Sequence, residues 1–361
     1  MKVAYLLGSL NRGGAENLIL DIFQKSNYAK FDFIGIHRKG GTYVDSFRNT
    51  SKKFIHCPFT NHNAILYLHR LRKLLLENEI TIVHPQQSID ALLARLATLG
   101  TGIKVVLTVH GFDFGQSIGA KFIKRICFKL CHQVCFVSKY EYDYYKQTYH
   151  LNNSGKFSIL YNGINFSKIL SNLSNQTHKR IQIGTVGSFR SGRDHFFICT
   201  FLNYLKHKGI DYDFYFIGPK VLSEPDRFDN CMNYCTTNNL NSNVHFLGSR
   251  DDVPALLSGL DAFIYCSEHD TFGIAVLEAI ASGIPVFVND WEVMSEITDN
   301  GKLATVYKTG SIEDLYEKFS CFIQNKEPLL EKANEGAKYV RDIYSIGRHI
   351  NNLYDIYSKT V

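Results

Sequence analysis

With 361 residues, 45% of them hydrophobic and 20% charged, the chain is too long for one ordinary core and too apolar to be disordered; it suits two domains of roughly 150 to 200 residues. A net charge of +6 fits anionic ligands or a membrane surface without demanding either. No stretch approaches the ~20 apolar residues needed to span a bilayer, and the 9 cysteines follow no paired metal spacing.

The opening run MKVAYLLGSL is too short for a secretory signal and reads as a first buried strand at 3–7. Further strands are predicted at 31–36, 80–83, 105–109, 134–137 and 157–160, with helical patterns at 15–23, 65–77, 89–99 and 120–131. Strands alternating with helices imply a parallel sheet with crossover helices. The turn after the first strand, GSLNRGGAE at 8–16, does not have the dinucleotide spacing G-x-G-x-x-G, and on its residues alone a plain strand-to-helix turn reads equally well. His110, in TVHGFD, lies just past a strand, at the edge where parallel sheets bind ligands. A lone histidine is more often structural, and the position is what singles this one out.

Cys127, Cys131 and Cys135 recur every fourth residue beside His132 and read as buried free thiols rather than a zinc site, which points to the cytoplasm. On the same helix Phe122, Ile123, Ile126 and Leu130 form the expected core stripe, and Lys121, Lys124, Arg125, Phe128 and His132 the outward basic face. That face is either an ordinary solvated one or a contact with anionic lipid.

After the polar stretch SKILSNLSNQTHKR the alternation restarts. Strands are predicted at 181–186, 213–217, 244–247, 262–265 and 285–288, helices at 195–207, 253–258, 272–282 and 312–324. A closing helix is predicted at 336–358, with Tyr344, Ile350, Leu353 and Ile356 as its apolar contacts. Two doubly wound domains in tandem would face each other across a cleft between the carboxyl ends of their sheets. Asp211 and Asp213 resemble a metal-binding pair in spacing, but they lie at the start of a strand and read as a turn.

The most informative segment is SEHDTFGIAVLEAIASGIPVFV at 267–288. A helix is expected from near Thr271, capped by Asp270 or Thr271 and stopped at Gly283 before Pro285. Phe272, Ile274, Ala275, Val276, Leu277, Ala279 and Ile280 make it apolar almost all round, so it should be buried. Glu278 is then an anomaly, because a buried carboxylate needs a partner. The free amides of a helix start attract phosphate, Gly273 and Ala275 allow close approach, and Glu278 lies about 10 Å along the axis from Thr271. The face suits a nucleoside diphosphate with its ribose diol at Glu278. The bland alternative makes Asp270 a cap and pairs Glu278 with a buried Arg or Lys.

This segment resembles the signature of glycosyltransferase family 4, in which two acidic residues separated by seven others straddle this helix start. Asp270 stands where the family has its first Glu, and Glu278 where it has its second. The resemblance covers nearly the whole chain. It implies an α/β GT-B fold of two Rossmann-like doubly wound domains: an acceptor-side domain at 1–165, a linker at 166–180, a donor domain at 181–340, and a crossover helix at 341–361 returning to the first domain.

The resemblance also implies roles. Gly13 and Gly14 of the glycine loop, and Thr271, Phe272, Gly273, Ile274 and Glu278 of the helix start, would hold the donor, with Glu278 on its ribose. His110 and Asp270 would face the donor sugar. In VGSFRSGRDH, Arg193 stands where the family has a lysine on the diphosphate, and Arg190 stands in for the usual arginine, since position 188 is Ser. Two arginines there would stabilise charge on the leaving group; otherwise they are solvated loop residues. YNGIN at 161–165 and Glu296 with Gly301 are further matches, and Glu296 reads more simply as a helix-end carboxylate.

The implied activity is retaining transfer of a hexose or N-acetylhexosamine from a nucleotide-diphosphate sugar to a saccharide or lipid-linked acceptor. No metal or other cofactor is expected. The family's commonest setting is bacterial capsule or O-antigen synthesis, which implies a cytoplasmic enzyme, peripheral to the inner face of the plasma membrane if the basic helix touches lipid. Nucleic acid is not expected as a partner. Alternatives are a GT-B sugar-nucleotide 2-epimerase and a non-catalytic nucleotide-sugar-binding homologue.

Overall fold

The computed structural model describes residues 1–11, 13–50, 52–152, 155–169 and 179–361. The chain divides into two units: Met1–Ile164 with Tyr344–Val361, and Asn165–Ile343. Residues 170–178, most of the expected linker at 166–180, lie outside the described residues.

In the first unit the elements run β1 (Lys2–Leu7), α1 (Gly14–Gln24), β2 (Asp32–His37), α2 (Val44–Arg48), β3 (Phe54–His56), α3 (Ala64–Glu77), β4 (Ile82–Pro85), α4 (Ser88–Ala97), β5 (Lys104–Val109), α5 (Ile118–Leu130), β6 (Gln133–Phe136), α6 (Lys139–Tyr149) and β7 (Phe157–Ile159). The sheet order is β3-β2-β1-β4-β5-β6-β7, with parallel pairing throughout. Central strands such as VAYLL in β1 are continuously apolar because crossover helices cover both faces of the sheet.

The second unit repeats the plan with β8 (Ile181–Val186), α7 (His195–His207), β9 (Tyr212–Ile217), α8 (Pro225–Thr237), β10 (Val244–Gly248), α9 (Val253–Ser258), β11 (Ala262–Tyr265), α10 (Ile274–Ala281), β12 (Val286–Asn289), α11 (Glu292–Ile297), β13 (Thr305–Tyr307), α12 (Ile312–Gln324) and α13 (Glu327–Ile343). Its sheet order is β10-β9-β8-β11-β12-β13, again parallel. In both sheets the winding reverses beside the first strand, between β1 and β4 and between β8 and β11. Those reversals open the crevices where doubly wound sheets take ligands.

The predicted closing helix at 336–358 is two helices. The chain breaks at Tyr344 and Ser345, and the Ser345 hydroxyl accepts from the Arg348 amide to start α14 (Ile346–Thr360). Ile346, Ile350, Leu353 and Tyr357 of α14 join the first unit's core with Tyr5, Phe31 and Phe33. The Tyr357 hydroxyl bonds His84 Nδ1 and the Tyr5 hydroxyl, satisfying polar groups that would otherwise be stranded in that core. Ile164 and Ser345 form a parallel bridge that fixes where α14 begins.

The basic helix also differs from expectation. Phe128 and Lys124 are buried, whereas Phe122 and Leu130 are 63% and 45% exposed, so the two faces are rotated relative to the sequence reading. The reason is local. Phe128 packs edge-on against Phe136, Tyr145 and Tyr149, and the Lys124 ammonium donates to the Tyr145 hydroxyl and the Gly111 carbonyl. Cys127, Cys131 and Cys135 are free and buried.

Candidate active site

In the second unit, β8 ends at Val186 and the chain loops through Arg190 and Arg193 before α7. The neighbouring strand β11 ends at Tyr265, and its loop carries Ser267 and Asp270 across the reversal point. The two loops are stitched together. Ser267 Oγ donates to the Gly192 carbonyl and accepts from the Asp270 amide, while Asn289, the last residue of β12, bonds both the amide and the carbonyl of Ser267. The Trp291 indole donates to the Asp270 carbonyl at 3.0 Å.

This framework brings Arg190, Arg193 and Asp270 together. Asp270 Oδ1 lies 3.6 Å from Arg190 Nη2 and 3.6 Å from Arg193 Nη2. The Tyr265 hydroxyl donates to Oδ2. Arg193 packs over the Tyr265 ring at 5.2 Å and donates from Nη1 to the Val186 carbonyl at 3.0 Å. The Arg193 side chain is 14% exposed and that of Arg190 54%, so the reading of both as solvated loop residues fails for Arg193. Burial pushes the Asp270 carboxyl up, but Arg193, the Tyr265 hydroxyl, Arg190 and Ser267 outweigh it and hold it below the usual carboxylate range. Desolvation opposes the Arg193 charge, and the Asp270 carboxylate more than restores it.

The helix after this loop starts later than expected. Asp270 and Thr271 do not cap it. Gly273 does, in the left-handed conformation at φ +81°, with no side-chain cap, and α10 begins at Ile274. Asp270 is drawn instead to Tyr265 and the arginines. A Cβ on Gly273 would meet Ile297 Cδ1 and Met294 Cε at 2.9 Å, so the packing and the left-handed turn both require a glycine there. Phe272 is buried, and Thr271 and Ile274 are half-buried. Glu278 is half-buried rather than enclosed, one turn and about 6 Å beyond Ile274 on the same face. The helix C-terminus is capped by Arg341 of α13, which donates twice to the Ala281 carbonyl, at 2.9 and 3.2 Å.

In the first unit the carboxyl ends of β1, β4 and β5 present Gly8, Gln86 and His110. Gly13 is the N-cap of α1 and Gly14 its first residue; neither carries a side-chain cap, and Arg12 between the strand and Gly13 lies outside the described residues. A Cβ on Gly8 would meet Gln87 Oε1 at 2.5 Å and Arg38 Nη2 at 3.0 Å, and one on Gly13 would meet Glu16 Oε2 at 2.5 Å. Arg38 makes a buried fork–fork pair with Asp90 of α4. His110 Nε2 pairs with Gln86 Oε1 at 2.7 Å; burial, then His349, drops its pKa to about 4, so it is a neutral imidazole at physiological pH. Gln87, Ser88, Thr108, His110, Gln116 and Lys124 are among the walls of a cavity of about 410 Å³.

Other predicted positions are accounted for differently. Asp211 and Asp213 pair with Arg180, and Asp213 also with His245, at the amino end of the second sheet. Glu296 sits in the last turn of α11. Among the described residues no group of three or more His, Cys, Asp or Glu gathers as a metal site. Tyr265, Ser267, Asn289, Trp291 and the Arg38–Asp90 pair went unread in sequence. A tyrosine closing an apolar strand and an asparagine closing the next were the available signals.

Two doubly wound parallel units in one chain are the architecture of the GT-B glycosyltransferases. A family model described as glycosyl transferases group 1 matches residues 169–340, and one described as Glycosyltransferase Family 4 matches residues 12–168. The chain belongs to the family 4 type of glycosyltransferase. Among curated proteins it is 23% identical to the putative glycosyltransferase EpsF of Bacillus subtilis, over 80% of this chain and 79% of that one. It is 25% identical, over 84% of each chain, to the N,N'-diacetylbacillosaminyl-diphospho-undecaprenol α-1,3-N-acetylgalactosaminyltransferase of Campylobacter jejuni. A crystal structure of Anabaena HepE in complex with UDP and glucose superposes with a TM-score of 0.86 over 99% of each chain at 15% identity, a likeness of fold.

Proposed function

We propose that the chain transfers a hexose or N-acetylhexosamine, with retention, from a nucleotide-diphosphate sugar to a saccharide or lipid-linked acceptor in bacterial surface-polysaccharide assembly. The observation that carries this is the convergence of Arg190, Arg193 and Asp270 at the reversal point of the second sheet, directly before a helix start. Oriented cations and helix-start amides act where negative charge grows on a departing diphosphate, which is where this reaction needs stabilisation. They do so without a metal.

In this reading Arg190, Arg193 and the α10 start hold the diphosphate, Glu278 takes the ribose diol, and Asp270 and the neutral His110 position the sugar. The acceptor hydroxyl attacks from the face the diphosphate leaves and passes its proton to the departing phosphate oxygen, so no covalent enzyme intermediate forms. Relatives that act on diphosphoundecaprenol-linked acceptors support a lipid-linked substrate. The exposed side of α5 supports membrane contact: Ile118 and Phe122 stand out beside Lys121, Arg125 and Lys129, with no acidic residue on the helix. No helix among the described residues is long and apolar enough to cross a membrane, so the contact would be peripheral, at the inner face of the plasma membrane.

The first test is a thermal-shift screen of nucleotide sugars, because a ligand bound only by the folded state raises the melting point. The donor that emerges should be transferred to an acceptor, and Glu278→Ala should cut that transfer at least about tenfold, equivalent to ~1.4 kcal/mol, with the melting point little changed. Full activity of Glu278→Ala removes the ribose assignment. Epimerisation or hydrolysis of the donor with no acceptor product would instead mark a 2-epimerase, and binding without turnover a non-catalytic homologue.

A further inference from the structure

Within the proposed donor site, the charged groups do not hold themselves in place. Arg193 and Asp270 come from different loops, and both lean on one residue to which no role has been assigned. Tyr265, the last residue of β11, is 1% exposed. Its hydroxyl donates to Asp270 Oδ2, its ring lies under the Arg193 guanidinium at 5.2 Å, and its own carbonyl accepts from the Tyr307 hydroxyl at 2.9 Å. Asp270 Oδ1 is left to face both arginines.

The geometry matters because Asp270 is one methylene shorter than glutamate, and a short carboxylate between two guanidinium groups has several ways to pair. Unpinned, it could turn both oxygens to Arg193 in a bidentate fork and occupy the donors that a diphosphate needs. A phenolic hydroxyl on Oδ2 forbids that, while the aromatic face seats the guanidinium without competing for its N–H donors. We infer that Tyr265 is a positioning residue: its hydroxyl fixes the rotation of Asp270 and its ring fixes the seat of Arg193, so that the arginine keeps donors directed outward. This rests on the proposed donor site, and the two arms, hydroxyl and ring, are separable.

The experiment uses the full chain, with the donor identified by the thermal-shift screen for kinetics and inorganic pyrophosphate as the binding probe. Tyr265→Phe keeps the ring and the packing. It should lower kcat by about tenfold or more and weaken the rise in melting point that pyrophosphate gives, because Asp270 is then free to fork onto Arg193. The acid limb of its pH–rate profile should move to higher pH, because Asp270 loses a hydrogen bond that favours its charged form. Tyr265→Leu removes the seat as well, and pyrophosphate protection should then be lost and the donor KM rise. In an Asp270→Asn background, Tyr265→Phe should have no further effect, since the hydroxyl acts through that carboxylate.

Wild-type kcat and an unmoved acid limb in Tyr265→Phe overturn the hydroxyl arm; full pyrophosphate protection in Tyr265→Leu overturns the ring arm. Should Tyr265→Leu not fold, Arg193→Lys reads the same arm, because an ammonium on that ring keeps the charge but not the planar fork and should weaken pyrophosphate protection. A fully active Asp270→Asn would instead remove the donor site itself, a different failure from a silent Tyr265→Phe beside an inactive Asp270→Asn.

Discussion

At the scale of single residues, exposure separates the two arginines that sequence treats alike. Arg193 is largely buried against Tyr265 and opposite Asp270, so Arg193→Ala leaves a buried carboxylate with the half-exposed Arg190 as its remaining cation and the Tyr265 hydroxyl on Oδ2. Loss of one partner of such a pair costs on the order of 3 kcal/mol, whereas Arg190→Ala, mostly in solvent, should cost less than about 1 kcal/mol. Urea denaturation of the two variants measures the difference. Equal costs would mean that Asp270 is held by Tyr265 and backbone alone. The histidines give a pH dependence with a definite sign. Burial pulls His110 and His349 from 6.5 to about 4, so the unfolded chain binds those protons more readily than the folded one. Their contribution is complete above about pH 6.5 and is lost as pH falls from 6.5 through 4. A denaturation series across that range should show stability falling towards acid, and His349→Gln should make the decline shallower.

At the scale of elements, α10 shows both what the pattern revealed and what it hid. Its existence, its burial and its end were legible from an apolar run closed by Gly283 and Pro285. Its start was not, because the residue that caps it is a left-handed glycine, and Asp270, one of the two polar residues read as caps, is engaged with Tyr265 and the arginines. Gly273→Ala should therefore destabilise by more than the ~1 kcal/mol of an unhindered glycine replacement, since it adds a left-handed penalty to a clash with Ile297 and Met294. A drop of only a few tenths would show that the loop can relax. A second close approach lies at Gly163, where a Cβ would fall 2.6 Å from His349 Cβ and 2.9 Å from Ile346 Cα. Gly163→Ala should displace α14 and lower the melting point, read by calorimetry. On α5 the heptad-like stripe was visible, but which side faced inward depended on Phe136, Tyr145 and Tyr149, residues beyond the helix itself.

At the scale of the whole molecule, residues 344–361 end the chain but complete the core of its first unit. Ile350, Leu353 and Tyr357 are fully buried there, and Leu353→Ala should cost about 2–5 kcal/mol. A chain truncated after Ile343 exposes the β1 side of that core, and calorimetry should show an early transition absent from the full chain. A single unchanged transition would mean that α14 contributes little.

The alternation of short apolar runs with amphipathic stretches determined the fold class and the placement of most strands, because periodicity and turn residues are local properties carried by the chain itself. It also marked the loops after β5, β8 and β11, where His110, Arg193 and Asp270 sit. Short or polar elements escaped it: β3 and β13 with three residues each, and α6, a helix rich in tyrosine and charge. Only the tertiary structure decided that Asp270 is an ion-paired, tyrosine-pinned carboxylate rather than a cap, that Glu278 is half-buried, and that Tyr357 closes a core begun 352 residues earlier at Tyr5. Those outcomes depend on which side chains meet across distant segments, and on whether water is excluded when they do.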